Sequence, residues 1–475
     1  MAERLKVDVC VIGGGSGGLS VAAGASQMGA STVLLEKGHM GGDCLNFGCV
    51  PSKALLAAGK AAHHIGTAAR FGVDASLNAV HHQRVHDHVK AVIAGIAPHD
   101  SVERFEGLGV GVIEAAGRFT GPGTVVAGDV EISARRFVVA TGSSPMVPPI
   151  DGLSDTPYFT NETIFDNTAL LPHLIVIGGG PIGLEMAQAH RRLGSQVTVL
   201  EMFRALPNDD EELAAVVVTQ LRKEGVDLIE GAKVAAVKRS GDGVAVTIEE
   251  AGGARRDIEG SHLLVAAGRR ANVADLGLET AGVEYSPRGI DVDARLRTSN
   301  KKIYAIGDVA GGLQFTHVAG YHAGIVIRNI LFRLPAKADH SAVPWVTYTD
   351  PELAHVGLRE EQARERHGEI RVLRWSYGEN DRARAELATD GMIKVVTAKN
   401  GRILGASIVG VHAGELIQPW ILALSSKMKI GKMAGYIAPY PTMGEIGKRA
   451  AGSYYIPSLF SERTRKVVRF LARFG

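Results

Sequence analysis

A chain of 475 residues is longer than one hydrophobic core usually organises, since single cores stop growing near ~250–300 residues, so several domains are expected. A formal net charge of +2 with a 45% hydrophobic share gives no argument for nucleic-acid binding. No apolar run reaches the ~18–20 residues needed to cross a bilayer, and three cysteines without an export-type leader point to the reducing cytoplasm, where a cysteine pair is more often catalytic than structural.

Residues 7–12 read as a strand, followed by Gly13-Gly14-Gly15-Ser16-Gly17-Gly18 and an alanine-rich helix to about residue 28. Gly13, Gly15 and Gly18 form G-x-G-x-x-G, and a second strand over 31–35 ends in Glu36, 18 positions after Gly18. Glycines there admit a pyrophosphate and a close helix–strand contact, the helix N-terminus stabilises phosphate charge, and the acid accepts hydrogen bonds from a ribose. The glycines alone are a weak signal in a chain with 59 of them; with strand, helix and acid in place the signal is strong. Cys10 lies inside the first strand and is expected to be a small buried apolar residue.

Residues 41–53 hold the other two cysteines, Cys44 and Cys49, five positions apart and flanked by glycines. The alanine- and leucine-rich stretch after them has strong helix propensity, so a loop entering one helix is expected, with both sulfurs near its first turns. A helix N-terminus lowers a thiol pKa, and the pair reads as a catalytic dithiol or disulfide. A structural zinc site lacks its other ligands, a structural disulfide does not suit the compartment, and two inert buried thiols are the remaining alternative.

A His-rich helical region over about 61–105 follows, in which His82 and His86 share one helical face and His88 is a candidate third member. No cysteine or clustered acid accompanies them, so a solvated surface is expected and no metal site. Strands at 109–114, 124–126 and 137–140 lead into a small-residue turn at Thr141-Gly142. The opening pattern then recurs. A strand over 174–177 precedes Gly178, Gly180 and Gly183, and a later strand over 196–200 ends in Glu201, again 18 positions after the last glycine. Two fingerprints imply two dinucleotides, and Glu201 favours NADH over NADPH, with Arg204 the nearby cation. A strand over 263–267 and a turn over 268–272, beginning at Gly268, close this insert. A third nucleotide-type segment ends a strand at Gly307-Asp308, and Phe315-Thr316-His317 opens a helix whose N-terminus can face an electron-rich ring edge. Beyond about 335–344, strands at 370–375, 392–397 and 403–411 alternate with helices at 413–429 and 442–451. That region carries no phosphate loop and reads as an interface-type domain. The last residues, 461–475, set Arg463, Arg465, Lys466, Arg469 and Arg473 against one acid, Glu462, with Val467, Leu471 and Phe474 on one helical face. This is a candidate for an anionic membrane surface; the alternative is a helix packed on its own dimer.

From about residue 5 to 455 the chain resembles the class I pyridine nucleotide–disulfide oxidoreductases, which include glutathione reductase, dihydrolipoamide dehydrogenase and mercuric reductase. The motifs that carry the resemblance are the two glycine fingerprints, 41–53, Ala140-Thr141-Gly142, Gly268-Arg269, Gly307-Asp308 and 442–445. The resemblance implies an α/β fold with two Rossmann-like dinucleotide-binding domains, for FAD and NAD(P), plus a C-terminal α+β dimerisation domain. The expected boundaries are 1–150 and 272–340 for the FAD domain, 151–271 for the NAD(P) domain, 341–460 for the interface domain and 461–475 for a basic amphipathic tail. Cys49 is implied as the flavin-side sulfur and Cys44 as the interchange sulfur. Lys53, near flavin N5 and paired with Glu185, would stabilise the charge that a hydride leaves on the flavin. FAD would be held by Gly13, Gly15, Gly18, Glu36, Lys53, Thr141, Gly142, Gly307, Asp308, Phe315, Thr316 and His317, and NAD(H) by Gly178, Gly180, Gly183, Glu201 and Gly268.

Departures from the family pattern bear on function. Disulfide reductases of this family carry His-Pro-x-x-x-Glu, contributed across the dimer; here the segment is Tyr440-Pro441-Thr442-Met443-Gly444-Glu445. Tyrosine, with an ordinary pKa of ~10, is a poor replacement for histidine as a proton shuttle near neutrality. Mercuric reductases also lack this histidine, but they add a C-terminal vicinal cysteine pair, and here no cysteine follows Cys49. Asp43 beside Cys44 is expected to raise its pKa unless a cation offsets it. Pro181 stands where several relatives have a ring that covers the flavin. The expected function is therefore a cytoplasmic, homodimeric FAD enzyme, with the tail a candidate point of contact with the inner face of the membrane. It passes electrons from NADH through FAD to the Cys44–Cys49 disulfide and on to a small-molecule acceptor. The alternatives are an NADH:quinone or diaphorase-type reductase that does not use the cysteines, and a non-catalytic redox-sensing flavoprotein.

Overall fold

The strand Glu3–Ile12 sets the first layer, and its last four residues are all buried. Successive side chains on a strand point to opposite faces. Cys10 and Ile12 accordingly join one apolar cluster with Phe119 and Phe137, while Val9 and Val11 join another with Leu19, Phe105 and Ile325. A strand covered on both faces has no polar positions, which is why this run shows no alternation. Cys10 is fully buried, as expected, and burial pushes its thiol pKa up.

The computed structural model describes residues 3–250 and 252–474. Its contacts divide into two units, one running to Met202 and adding Gly231–Asp339, the other made of Phe203–Glu230 and the residues from His340 onward. In the first unit, Glu3–Ile12 lies parallel between Thr32–Leu35 and Val130–Val139. Val110–Ile113 extends the sheet beyond Thr32–Leu35, and Ile303–Ala305 pairs in parallel with the far end of Val130–Val139. The hairpin of Gly117–Gly121 and Thr124–Ala127 joins antiparallel to the near end of Val130–Val139. The second glycine motif follows His173–Ile177, which lies parallel between Gln196–Glu201 and His262–Val265.

The two expected turns at 141–145 and 268–272 are instead a ribbon, with Ser143–Pro145 antiparallel to Arg269–Ala271. Pairing these two segments satisfies backbone groups that separate turns would leave to water.

The second unit is built on an antiparallel sheet in the order Pro344–Thr347, Glu352–Gly357, Ile403–Gly410, Met392–Ala398, Ile370–Ser376. The helix Glu211–Lys223, capped by the Asp210 carboxylate, packs on two of these strands. Buried Lys394 holds its start through Asp210 and Glu212 at 2.8 and 3.0 Å and also pairs with Glu360, at the start of the helix Glu360–His367, at 2.9 Å, pairings that a buried ammonium requires. The helix expected over 413–429 is broken into Ala413–Leu416 and Gln418–Ser425, because Pro419 cannot continue a helix but suits the first turn of a new one. The helix expected over 442–451 is Glu445–Ser453. Among the described residues no helix is long and apolar enough to cross a membrane.

Both glycine motifs turn the chain in the same way. A Cβ on Gly13 would sit 2.4 Å from the Ala140 carbonyl oxygen, and one on Gly18 only 1.9 Å from that of Gly13. The equivalent distances for Gly178 and Gly183 are 2.4 Å to Ala266 and 2.0 Å to Gly178. The middle glycines differ. At Gly15 the nearest atom is 3.9 Å away, and at Gly180 there is nothing within 4 Å. The outer glycines answer to the protein's own packing, and the middle ones leave room for a ligand backbone to approach, as a pyrophosphate does. Gly183→Ala should destabilise the fold by about 3 kcal/mol or more through overpacking against backbone. Gly180→Ala should keep the melting temperature while weakening NADH binding by about tenfold; equal melting temperatures for the two variants would contradict this division.

Candidate active site

In each sheet the residues expected to hold cofactor follow the carboxyl ends of adjacent parallel strands, where ligands of open α/β sheets bind. Gly13 follows Ile12, Glu36 follows Leu35, Thr141 lies two positions after Val139, and Gly307 lies two positions after Ala305. The Glu36 carboxylate accepts hydrogen bonds from the Gly14 N–H at 2.5 Å and the Gly38 N–H at 2.7 Å. Glu201 accepts from the Gly179 N–H at 2.7 Å. Each acid thus sits beside its own glycine loop. A Cβ added to Gly142, at φ +68°, would have nothing within 4 Å, and one on Gly268, at φ +122°, would meet only the Met146 methyl at 3.3 Å.

The cysteine segment is fastened to the first glycine loop. Gly41 N–H donates to the Gly14 carbonyl at 2.9 Å, and a Cβ on Gly42 would lie 2.7 Å from the Gly15 Cα. The single helix expected here is two. Cys44 lies in Gly42–Asn46, the chain breaks at Phe47-Gly48, and Cys49 is the first residue of Cys49–Thr67. Only Cys49 therefore gains the unpaired N–H groups of a long helix start. It is exposed, whereas Cys44 is half-buried.

Both sulfurs are free thiols, and their environments drive them apart. Cys49 is lowered to about 6, first by a hydrogen bond from Cys44 and then by Thr316 and the charge of Lys53, against the effect of burial. Its Sγ lies 3.5 Å from the Thr316 hydroxyl, at the first residue of the helix Thr316–Ile330. Cys44 is raised, because it donates that same hydrogen bond, is partly desolvated and faces negative charge on Cys49 and Asp43. One turn beyond Cys49, Lys53 Nζ lies 2.9 Å from Oε2 of buried Glu185, on the helix Pro181–Arg192. Phe315 and His317 stack with centroids 5.2 Å apart on either side of Thr316.

A polar chain that sequence reasoning missed runs behind the cysteines. Asp43 pairs with Arg269 at 3.2 Å. The Arg269 guanidinium also donates to Ser143 Oγ at 2.7 Å and to the Ser143 carbonyl at 2.8 Å, and the Ser143 hydroxyl donates to Asp308 at 2.6 Å. Asn161 donates to Asp43 at 3.2 Å and to the Phe47 carbonyl at 3.1 Å. Arg269 is thus the cation that offsets Asp43 beside Cys44. Burial raises Asp308, while Ser143 and Arg269 act against the rise. The Thr141 hydroxyl donates to the Asn272 carbonyl at 2.8 Å, and the Gly307 N–H donates to buried His322 at 3.2 Å. Asp43, Arg269 and Asp308 each carried a sequence signal of its own, but nothing linked them, and nothing marked Ser143, Asn161 or His322.

Tyr440 and Glu445 belong to the second unit. The Tyr440 hydroxyl donates to Asp381 at 3.1 Å, which raises its pKa further from neutrality. Its ring is 69% exposed, so it presents a wet phenol rather than a buried acid. Glu445 opens the helix Glu445–Ser453 and is half-buried. In the His-rich region, His82 and His86 line a cavity of about 20 Å³ with His190, which sequence reasoning did not single out. His190 is buried with Nε2 unpartnered, and burial pushes its pKa down to about 4. That space suits one water. Among the described residues no group of three or more His, Cys, Asp or Glu side chains is arranged to hold a metal.

Comparison with known proteins identifies the family. Residues 7–323 match the pyridine nucleotide-disulphide oxidoreductase family, and residues 343–451 match its dimerisation domain. A mercuric reductase of Streptomyces lividans is 34% identical, with 94% of this chain and 96% of that protein covered. A dihydrolipoyl dehydrogenase of Thermus scotoductus is 37% identical over 92% of this chain and 95% of its own. Among solved structures, the HOCl-induced flavoprotein disulfide reductase RclA of Escherichia coli, as a Cu(II) complex, superposes with a TM-score of 0.84 at 28% identity, covering 93% of this chain and 99% of that one. LpdA of Mycobacterium tuberculosis does so with a TM-score of 0.85 at 28% identity, covering 95% and 99%. The chain belongs to the class I pyridine nucleotide-disulfide oxidoreductases, FAD-dependent enzymes that use a pyridine nucleotide and a redox-active disulfide, and it carries their dimerisation domain.

Proposed function

We propose that this protein is an NADH-dependent reductase whose Cys44–Cys49 dithiol delivers electrons to a thiophilic metal ion. The observation that carries the reading is Tyr440, an exposed phenol bonded to Asp381, at the position where disulfide reductases of the family place histidine. Reducing a disulfide substrate requires a proton for each departing thiolate, and a phenol raised above its ordinary pKa does not shuttle protons near neutrality. Reducing a metal ion needs no such proton. A soft cation binds the Cys49 thiolate and displaces the Cys44 proton to water, and the two sulfurs then close to a disulfide, releasing two electrons, which reduce two Cu(II) to Cu(I) or one Hg(II) to the element.

FAD, when bound, supplies the hydride acceptance from nicotinamide and the electron pair for the disulfide. It would be held by Gly13, Gly15, Gly18, Glu36, Thr141, Gly142, Gly307, Asp308, Phe315, Thr316 and His317, with the room beside Gly15 in support. Lys53, oriented by Glu185, sets a fixed cation near the Cys49 sulfur. Gly178, Gly180, Gly183, Glu201 and Gly268 would hold NAD(H). The Glu201 carboxylate repels a 2′-phosphate, and Arg204 is turned to the carbonyls of Pro207 and Asp209 at 3.3 and 3.2 Å, which supports NADH over NADPH. The dimerisation domain supports a homodimer in which Tyr440 and Glu445 serve the cysteines of the partner subunit.

Peripheral membrane contact is the second part of this reading. The helix Glu462–Leu471 is capped by Ser461, and its Val467, Phe470 and Leu471 side chains are exposed, as is Phe474 beyond it. Arg465, Lys466, Arg469 and Arg473 supply the opposite, basic face, and charge complementarity selects an anionic lipid surface.

Anaerobic NADH oxidation should be rapid with Cu(II) or Hg(II) and slow with lipoamide, glutathione disulfide or a quinone. Metal turnover should fall about a hundredfold in Cys44→Ser. Rapid lipoamide or glutathione disulfide turnover by the wild-type protein, or full metal turnover in Cys44→Ser, would overturn the proposal. In a separate assay the protein should cosediment with vesicles containing phosphatidylglycerol, and a chain ending at residue 460 should not; equal sedimentation of the two would remove the membrane role.

A further inference from the structure

Five arginines line one cavity of about 450 Å³ in the first unit, away from the residues assigned to either dinucleotide. Arg135 and Arg136 come from the strand Val130–Val139, Arg295 and Arg297 from the segment before Ile303–Ala305, and Arg333 from just beyond the helix Thr316–Ile330. Tyr304 completes an apolar wall. Two of the guanidiniums have carboxylate partners: Arg135 meets Asp8 at 2.9 Å, and Arg297 is held two-pronged by Asp293 at 2.9 and 2.7 Å. Among the described residues no carboxylate lies within ion-pair distance of Arg136, Arg295 or Arg333. Arg136 donates instead to the Arg135 carbonyl at 2.8 Å. The cavity therefore carries three unneutralised positive charges on elements that are far apart in sequence.

A solvated basic surface would account for arginines scattered on one element, and one or two of them could serve the carboxyl end of the helix Thr316–Ile330. Neither accounts for strand, loop and helix end converging on one concave space. Arg333 adds an independent observation. It has φ +53°, the left-handed conformation that glycine usually supplies just past a helix end. From that position Arg333 lines the same cavity, and strained backbone positions of this kind cluster at ligand sites.

We propose that this cavity binds a phosphate-rich small anion, a linear polyphosphate chain, free or carried by a nucleoside. Guanidinium groups match phosphate oxygens two at a time, and three uncompensated charges suit a ligand with three or more phosphate charges better than a single carboxylate. The volume lies within the range of small-molecule sites, and the Tyr304 wall accommodates the uncharged part of a nucleotide. The site is independent of the acceptor and of the cysteines, so it stands or falls separately from the function proposed above.

The test is calorimetric titration of the FAD-loaded protein with inorganic tripolyphosphate and, in parallel, with ATP. Saturable binding of tripolyphosphate is expected, weakening as salt rises. Arg136→Gln with Arg295→Gln should reduce its affinity about tenfold or more while leaving NADH reduction of the flavin unchanged. Arg333→Gly should also weaken binding, yet keep or raise the melting temperature, because it relieves the left-handed residue. Tighter binding of ATP than of tripolyphosphate, lost in the same variants, would identify a nucleotide as the source; equal binding would identify the phosphate chain alone. Absence of saturable binding to the wild-type protein, or unchanged tripolyphosphate affinity in both variants, would overturn the proposal.

Discussion

The coupling of the Cys44 thiol to the Cys49 sulfur is the interaction on which the site depends. It makes two chemically identical side chains unequal. Cys49 is held near pKa 6 and Cys44 is raised, so the reduced pair carries one thiolate at neutral pH, on the sulfur at the start of the long helix. The thiolate is the electron-rich, nucleophilic form, and the protonated partner steadies it through the shared hydrogen. The break at Phe47-Gly48 is what permits this geometry, since an unbroken helix would place residues five apart on different faces.

The pair works only if it stays in place against the first glycine loop, and three separate segments see to that. Gly41 and Gly42 lie against Gly14 and Gly15, so the cysteines inherit the position of the phosphate loop. Thr316 reaches Cys49 from the helix after the third nucleotide segment, and Lys53 is oriented by Glu185 from the second glycine motif's helix. The Asp43–Arg269–Ser143–Asp308 chain then joins the cysteine segment to the ribbon of Ser143–Pro145 and Arg269–Ala271. Arg269 serves two carboxylates of opposite need: it offsets Asp43 beside the thiol and restrains the rise that burial imposes on Asp308.

Periodic features were legible in the sequence. Strand, glycine turn, helix and terminal acid repeat at fixed spacing because backbone sterics demand it, as the short Cβ distances at Gly13, Gly18, Gly178 and Gly183 show. The cysteine pair was legible because cysteine is rare here. What was not legible depends on contacts between residues far apart in the chain. Nothing local distinguishes Ser143 or Asn161 from other small polar residues, and the pairing of Ser143–Pro145 with Arg269–Ala271 joins segments more than a hundred positions apart. The helix expected over 413–429 failed for a local reason, Pro419, whose effect the surrounding apolar pattern masks. His190 carried no signal because the helix Pro181–Arg192 is covered by Cys49–Thr67, a segment far away in sequence, not by its own neighbours.

Position 440 separates how electrons enter the cysteine pair from how they leave it. In the proposed function the entry side would rest on Cys49, Lys53, Glu185 and Thr316, which lie together in one unit, and the exit side would have to do without histidine, since position 440 is an exposed phenol bonded to Asp381. The central claim is that Cys49 is the thiolate of the reduced pair, and anaerobic titration of the FAD-loaded protein with NADH tests it most directly. A long-wavelength thiolate-to-flavin charge-transfer band should appear, fade as pH falls through about 6, and be absent in Cys49→Ser. A wild-type protein without the band, or a band that survives in Cys49→Ser, would contradict the account.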